Sequence, residues 1–496
     1  MRRNFNNSLV SDYEVGVTSC ASVDVAYNGH TFSLTTTTPG ASIYYTLDGS
    51  NPSTSTYHYT APTDVNQLVT IRAIAVKDGS NTSSVTVYEI PSIFNDEIAT
   101  ASVRTAGTLG KALEWKDGAT LTSLTVLGHL NADDFSAITR ISGLKHLYLQ
   151  SAAVENEALP ARAFAGSGMI SVELPAFVSS VGESLFAGCP NLSAIVWRTQ
   201  AELPSAALAD FSNPNLLFFT SNASYAPAEV RNVVTGRRAS RITLTDAAPN
   251  GNFFCVRQFY ADRITYTHDY QQETGRGETV RGWETIALPF SVTRFIHETK
   301  GDITPFMADD SDKAHFWLYS IEATGPTAAS ELTANRPYLI SMPNHDTYAD
   351  RYILGGNVTF EGLNTNVPVT APVAVSYNDH DVLPCFVRVK KTADIFVLNR
   401  GEQHGNHLEG SIFLSDYRDA SPFEVYYTHA GTTGEVQGIG ITGEIITGIN
   451  DTMLLRSAAE SCAEGLYDLS GRRVGRAGRV AQKGIYILDG KKVIIK

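Results

Sequence analysis

A Leu-x-x-Leu-x-Leu pattern that returns four times between residues 121 and 197 constrains this chain more than any other feature. Its turns are Leu121-Leu124-Val126, Leu144-Leu147-Leu149, Met169-Val172-Leu174 and Leu192-Ile195-Trp197, and their first positions step by 23, 25 and 23 residues. A unit of that length can bury its apolar face only against its neighbours, so the segment is expected to stack as a short solenoid. Ala163-Phe164-Ala165-Gly166 and Leu185-Phe186-Ala187-Gly188 recur 22 apart, each feeding a Leu-type strand. The phenylalanine is expected to plug the convex side of a coil, and the glycine permits the turn that follows. A degenerate unit, Asn213-Pro214-Asn215-Leu216-Leu217-Phe218-Phe219, reads as a cap that closes the stack. A surface of this kind suits binding better than chemistry.

The chain as a whole bounds the rest. Its 496 residues imply three or four domains, and 43% apolar with 18% charged residues is ordinary globular material. A net charge of −13 argues against a nucleic-acid partner, which would need basic patches to neutralise phosphates. No apolar run approaches the ~18 residues of a membrane span, and the polar start, Met1-Arg2-Arg3-Asn4, lacks the apolar core of a signal peptide. Cys20, Cys189, Cys255, Cys385 and Cys462 are scattered and odd in number. They give no disulfide framework or metal clip and read mostly as small buried apolar residues.

Residues 21–92 read as strands. Ala41-Ser42-Ile43-Tyr44-Tyr45-Thr46 and Val69-Thr70-Ile71-Arg72-Ala73-Ile74-Ala75-Val76 are Thr/Tyr/Val-rich and alternate at period 2. Asp48-Gly49-Ser50-Asn51-Pro52-Ser53 and Asp78-Gly79-Ser80 are turn clusters between them, so a small Ig/fibronectin-like sandwich is expected. These residues resemble the chitobiase C-terminal-like, fibronectin-III-associated domain, over about 70 residues. The resemblance implies an accessory module without catalytic residues.

The spacing between 93 and 225 resembles that of leucine-rich repeats. With Val181-Gly182-Glu183-Ser184-Leu185-Phe186 and Gly188-Cys189-Pro190-Asn191-Leu192, it is similar to the BspA-type repeats of bacterial surface proteins. The unit at 163 departs from that wording in having Ser167 for Cys, and the next has Trp197 where Pro is usual. Residues 226–440 are again β-rich. Ile264-Thr265-Tyr266-Thr267-His268-Asp269-Tyr270 alternates cleanly, and Gly282–Phe290, His315–Tyr319 and Asn335–Ile340 are aromatic strand blocks with Pro at their margins. Their wording and order resemble a recurring β-domain of Bacteroides-type surface proteins, and a larger β-sandwich is expected. The last part, 441–496, is expected to be a small β tail domain. Asp489-Gly490 is a hairpin signal between two apolar strands. Residues 465–496 hold eight Lys/Arg against two Asp/Glu, +6 against −19 for the remainder. This piece resembles the C-terminal tails of secreted Bacteroidetes proteins, some of which are sorting signals.

Little of the chain nominates chemistry. His404-Gly405-Asn406-His407, between Glu402 and Glu409, is the best metal candidate, but the surrounding glycines make it a loop with no third ligand at a defined spacing. Asp309-Asp310-Ser311-Asp312 lacks the Gly and distal Glu of a calcium loop. His297-Glu298-Thr299-Lys300-Gly301 begins like a zincin motif but has Gly301 where a second His is required. Gly166-Ser167-Gly168 is not a nucleophile elbow, and no carboxylate pair is nominated for glycoside hydrolysis. Aromatic rings that could stack on sugars come from Trp115, Trp197, Trp283 and Trp317, all core by default; Trp197 and Trp115 are kept as candidate ligand contacts.

The reading is a mainly β, multidomain chain: segment 1–20, sandwich 21–92, repeats 93–225, sandwich 226–440 and tail 441–496. No catalytic, cofactor or metal residue is assigned. The expected role is a non-catalytic binding or adhesion protein, secreted or on the outer cell surface, its export signal absent from this chain. Its partner is then a host or matrix protein or a surface glycan. A glycan-binding accessory protein of polysaccharide uptake is the alternative, and a glycoside hydrolase comes third.

Overall fold

The computed structural model describes residues 17–441 apart from 115, 249–250, 276–279, 309–311, 379, 406 and 430–437, with the backbone of strands 445–446, 466–468, 473–475, 484–488 and 491–495. The chain is mainly β and multidomain, with several sheets. It divides into two compact units, one running to Leu144 with Ser151–Glu155, the other comprising Lys145–Gln150 and Asn156 onward.

The first unit opens with the expected sandwich. One antiparallel sheet is ordered Asp24–Tyr27, Thr31–Thr35, Thr63–Asp64; the other is ordered Tyr57–His58, Ser42–Thr46, Thr70–Val76, Thr86–Glu89. Alternation does the sorting: Phe32 and Leu34 from one sheet share a core with Ile43, Tyr45, Ile71, Ala73 and Ala75 from the other. Both turn clusters behave as read. Gly49 and Gly79 take φ of 78°, and the Asp48 carboxylate accepts from Ser50 N at 3.0 Å. Farther on, Ile98–Val103 pairs parallel with Ser123–Leu130 in the register Leu124↔Ala99. Helix Ala132–Thr139 follows, closed by a capping box between Asn131 and Asp134. Asp134, buried, also accepts from Gly107 N and Leu109 N at 2.7 and 2.9 Å, so amide N–H groups solvate its charge in place of water.

In the second unit the period-2 pattern becomes a parallel ladder. Leu147, Val172, Ile195 and Phe218 are successive register partners, and all are 1% exposed or less. The segments that link these strands also bond each other, through Phe164 N to Leu185 O at 3.1 Å, Gly166 N to Ala187 O at 2.8 Å and Leu185 N to Ala207 O at 2.8 Å. Phe164 and Phe186 stack there at 5.5 Å, fully buried, with Gly166 and Gly188 at φ of 75° and 68° supplying the turns. The ladder runs past the unit read as a cap: Asn232–Thr235 pairs parallel with Leu217–Thr220. Its departure from a simple cap has a polar cause. Buried Asn215 holds Thr245 O and Gly251 O and accepts from Thr245 N, and buried Asn232 accepts from Thr243 N, so the next segment is stitched onto this end.

Beyond 236, Phe259–Tyr270 pairs along its length with Gly356–Val367, antiparallel. A second sheet is ordered Val375–Tyr377, His380–Pro384, Val425–His429, Ile395–Leu398, Ile412–Ser415, Gly438–Gly440, Ile445–Ile446. One core joins these segments, from Phe253 and Phe259 through Phe360 to Phe413 and Tyr427. In the tail, Gly484–Leu488 and Lys491–Ile495 form the expected hairpin, in the register Leu488↔Lys491. Asp489 and Gly490 themselves lie outside the described residues. The strands that extend it are Leu466–Asp468 and Arg473–Gly475. Ahead of the tail, Ile445–Ile446 pairs with Gly438–Gly440, whose Ile439 belongs to the larger core; residues 442–444 and 447–465 lie outside the described residues.

Candidate functional site

The residues singled out from sequence are mostly used by the fold. Trp197 is 1% exposed, and its indole N–H donates to Ala201 O at 2.7 Å. Two residues on from Ile195, it is buried on the same side of the chain, so its candidacy as a ligand contact is withdrawn. Trp115 lies outside the described residues. Trp317 is buried, and Trp283 packs edge-on against Tyr319 at 5.6 Å. His297 sits in a hairpin strand, not a helix: its Nδ1 accepts from Thr299 N and Lys300 N at 3.2 Å, and Gly301, at φ of 70°, makes the turn. His404 and His407 face each other across a tight turn closed by reciprocal backbone bonds of 2.8 and 3.0 Å. Of the flanking acids, Glu402 accepts from Tyr417 OH at 2.5 Å and Glu409 from Arg281 Nε at 2.7 Å, so each has its own partner. Asp309, Asp310 and Ser311 lie outside the described residues, as does Cys462. Cys20, Cys189, Cys255 and Cys385 are buried, and burial pushes the Cys255 thiol up to about 12.

Two clusters of ionisable groups emerge that sequence reasoning did not assemble. The first centres on His268, whose strand presents Tyr266, His268 and Tyr270 to one side at period 2. Its Nδ1 lies 2.5 Å from Asp246 and its Nε2 2.8 Å from Glu284. Burial pulls the imidazole pKa down, but the two carboxylates outweigh it and push it up to about 10, so the ring is an imidazolium at neutral pH. Burial works against Asp246 too, yet its hydrogen bond and attraction to His268 hold its carboxyl below the usual range. Tyr266 OH donates to the same carboxylate at 2.9 Å. Nearby, buried Glu424 takes Arg418 at 2.7 Å and Arg400 at 3.0 Å, which keep it ionised against the cost of burial. Three acids and three bases thus cancel. The opening beside them, between Asp246, Arg388, Arg400 and Ser421, is about 50 Å³, enough for a water or two.

The second cluster lies on the outward face of the parallel ladder. His146, Tyr148, Ser171, Glu173, Ala194, Val196, Leu217 and Phe219 alternate with the inward Leu147, Val172, Ile195 and Phe218. Part of that face is covered by the chain itself. Ala194, Val196, Leu217 and Phe219 share a core with Phe253, Cys255 and Phe259, while Asn252 donates to Pro190 O at 3.0 Å. Phe254 lies over His146, with ring centroids 4.9 Å apart. At the margin of this cover, buried Glu173 receives Arg257 Nη2 at 2.7 Å and Arg198 Nε on the same oxygen. Both arginine side chains remain nearly half exposed. Burial raises the Tyr148 phenol, with the Glu173 charge adding to it and Arg257 opposing, which places its ring in the same group.

Among the described residues, no group of three or more His, Cys, Asp or Glu is arranged to hold a metal ion. No helix among them is long and apolar enough to cross a membrane. No curated protein matches the chain. Residues 25–87, which span the sandwich strands from Asp24–Tyr27 to Thr86–Glu89, match the family of the chitobiase/beta-hexosaminidase C-terminal domain, and the chain therefore carries a chitobiase C-terminal-like domain there.

Proposed function

We propose that the protein is a non-catalytic binding or adhesion protein, secreted or on the outer surface of a bacterial cell. Its repeats act as a BspA-type leucine-rich-repeat solenoid, residues 226–440 as a β-sandwich and the basic tail as a sorting element. The observation that carries this reading is the state of the His268 cluster. Asp246 and Glu284 converge on an imidazolium, so these carboxylates are engaged by a fixed partner. Chemistry at this point would require a substrate to displace a buried ion pair. The in-register steps Leu147↔Val172↔Ile195 and the stacked Phe164 and Phe186 support the solenoid, and the match over 25–87 supports an accessory rather than catalytic architecture.

The alternative, a glycan-binding accessory protein of polysaccharide uptake, is favoured by the Tyr148, Arg198 and Arg257 group at the uncovered margin of the ladder face. Pull-down against host matrix proteins, run beside a glycan array with the same full chain, decides between them. A specific matrix partner supports adhesion; glycan hits alone support the alternative. Turnover of a glycan, abolished by Glu284→Gln, would replace both with a hydrolase.

A further inference from the structure

We propose that Arg198 and Arg257, held by Glu173 and bordered by Tyr148, form a binding site for a uronic-acid unit of an anionic polysaccharide. The inference rests on the glycan-binding alternative within the reading of the chain as a binding protein, and names the chemistry of its ligand.

Three features point there. Two guanidiniums converge on one oxygen of a single buried carboxylate, so the group carries one net positive charge on a chain of −13. Glu173 takes one nitrogen from each guanidinium, and the two arginine side chains are 42% and 47% exposed, so a planar carboxylate has fork N–H groups left to pair with. Rings lie on the same face: Tyr148 is the register partner of Glu173, and partly exposed Phe254 lies over His146, two residues before Tyr148. A ring face accepts the apolar side of a pyranose while the guanidinium takes its carboxylate.

The cover over this face favours a sugar over a folded protein. A standard protein interface needs about 800 Å² per partner, and residues 252–257 already cover the ladder face across Ala194, Val196, Leu217 and Phe219. Tyr148, Glu173 and Arg198 stand beside that cover.

The test is affinity electrophoresis of the full chain in gels holding polygalacturonate, dextran sulfate or neutral dextran. Polygalacturonate should retard the chain, neutral dextran should not, and added salt should weaken the effect. Arg257→Gln and Arg198→Gln should each weaken retention roughly tenfold. Because either change leaves Glu173 with one fewer partner, the double variant Glu173→Gln/Arg257→Gln removes the buried charge as well, and its melting reports the fold. Arg336→Gln, far along the chain, should bind as the parent. The site is overturned if polygalacturonate does not retard the chain, if retention survives in well-folded Arg257 variants, or if only dextran sulfate retards it. A matrix protein or neutral glycan still captured by the Arg257→Gln chain would leave the binding-protein reading standing without this site, whereas failure to bind any partner in either assay would remove both.

Discussion

The guanidinium of Arg257 meets the carboxylate of Glu173 at 2.7 Å across 84 residues of sequence. Glu173 belongs to the second strand of the ladder in the larger unit and Arg257 to the segment that runs back over its face. The pairing turns a face that the repeat pattern leaves open into one that is partly roofed.

The ladder core should be sensitive at Leu147, which is fully buried and in register with Val172. Leu147→Ala is expected to cost roughly 2–5 kcal/mol through lost burial and the cavity left behind. Leu147→Asp should be worse, since no partner for the charge is available inside the coil. Denaturant unfolding followed by circular dichroism measures both, and parent-like stability would mean that the inward register is wrong.

Asn215 tests the junction between ladder and β-domain. It is fully buried and meets Thr245 N, Thr245 O and Gly251 O. Asn215→Ala leaves those backbone groups without partners, at about 1–3 kcal/mol for each one orphaned. A melting temperature within experimental error of the parent would show that the network contributes little.

The His268 cluster sets a pH window. A folded pKa of about 10 against an ordinary 6.5 means that His268 contributes its full stabilisation below about pH 6.5 and loses it as pH rises through about 10. Asp246, lowered in the folded state, contributes in full above its ordinary range and loses that contribution as pH falls from there through its lowered folded value. Melting temperature should therefore fall on the alkaline side in the parent and less steeply in His268→Gln. Parallel alkaline limbs in the two proteins would contradict the ion-paired imidazolium.

Metal removal should change nothing at the His404 turn. Its two histidines are tied by backbone bonds, and the acids on either side are held by Tyr417 and Arg281. Chelator treatment is expected to leave the melting temperature unchanged, and elemental analysis to find no stoichiometric zinc. One tightly held ion per chain would overturn this.

The tail gives a prediction about where to cut. Removing 466–496 should leave the remaining domains melting as before and reduce surface delivery in the native host. Cutting at 441 should in addition destabilise them, because Ile441 is buried and Ile445–Ile446 pairs with Gly438–Gly440. Equal melting of the two truncations, or normal display of the shorter cut, would refute the respective halves of this expectation.

Local periodicity determined much of this protein by itself. The Leu147, Val172 and Ile195 spacing placed each strand in its ladder, the alternation at Ile43, Tyr45, Ile71 and Ala73 placed the sandwich core, and Asp48-Gly49 and Gly166 placed turns, because each depends on residues close in sequence. Even the burial of Trp197 was legible from its place beside Ile195. A histidine in the inward register of an aromatic strand, as at His268, was the one local sign of the buried ion cluster. Its partners were not legible: Asp246 and Glu284 are 22 and 16 residues away on other segments, and nothing in their neighbours' spacing marks them. The same holds for Glu173 and Arg257. Charges find partners by the position of whole segments in space, which no period records. Tertiary structure alone therefore decided which charges are locked in the core, and which stand at the open margin of the ladder.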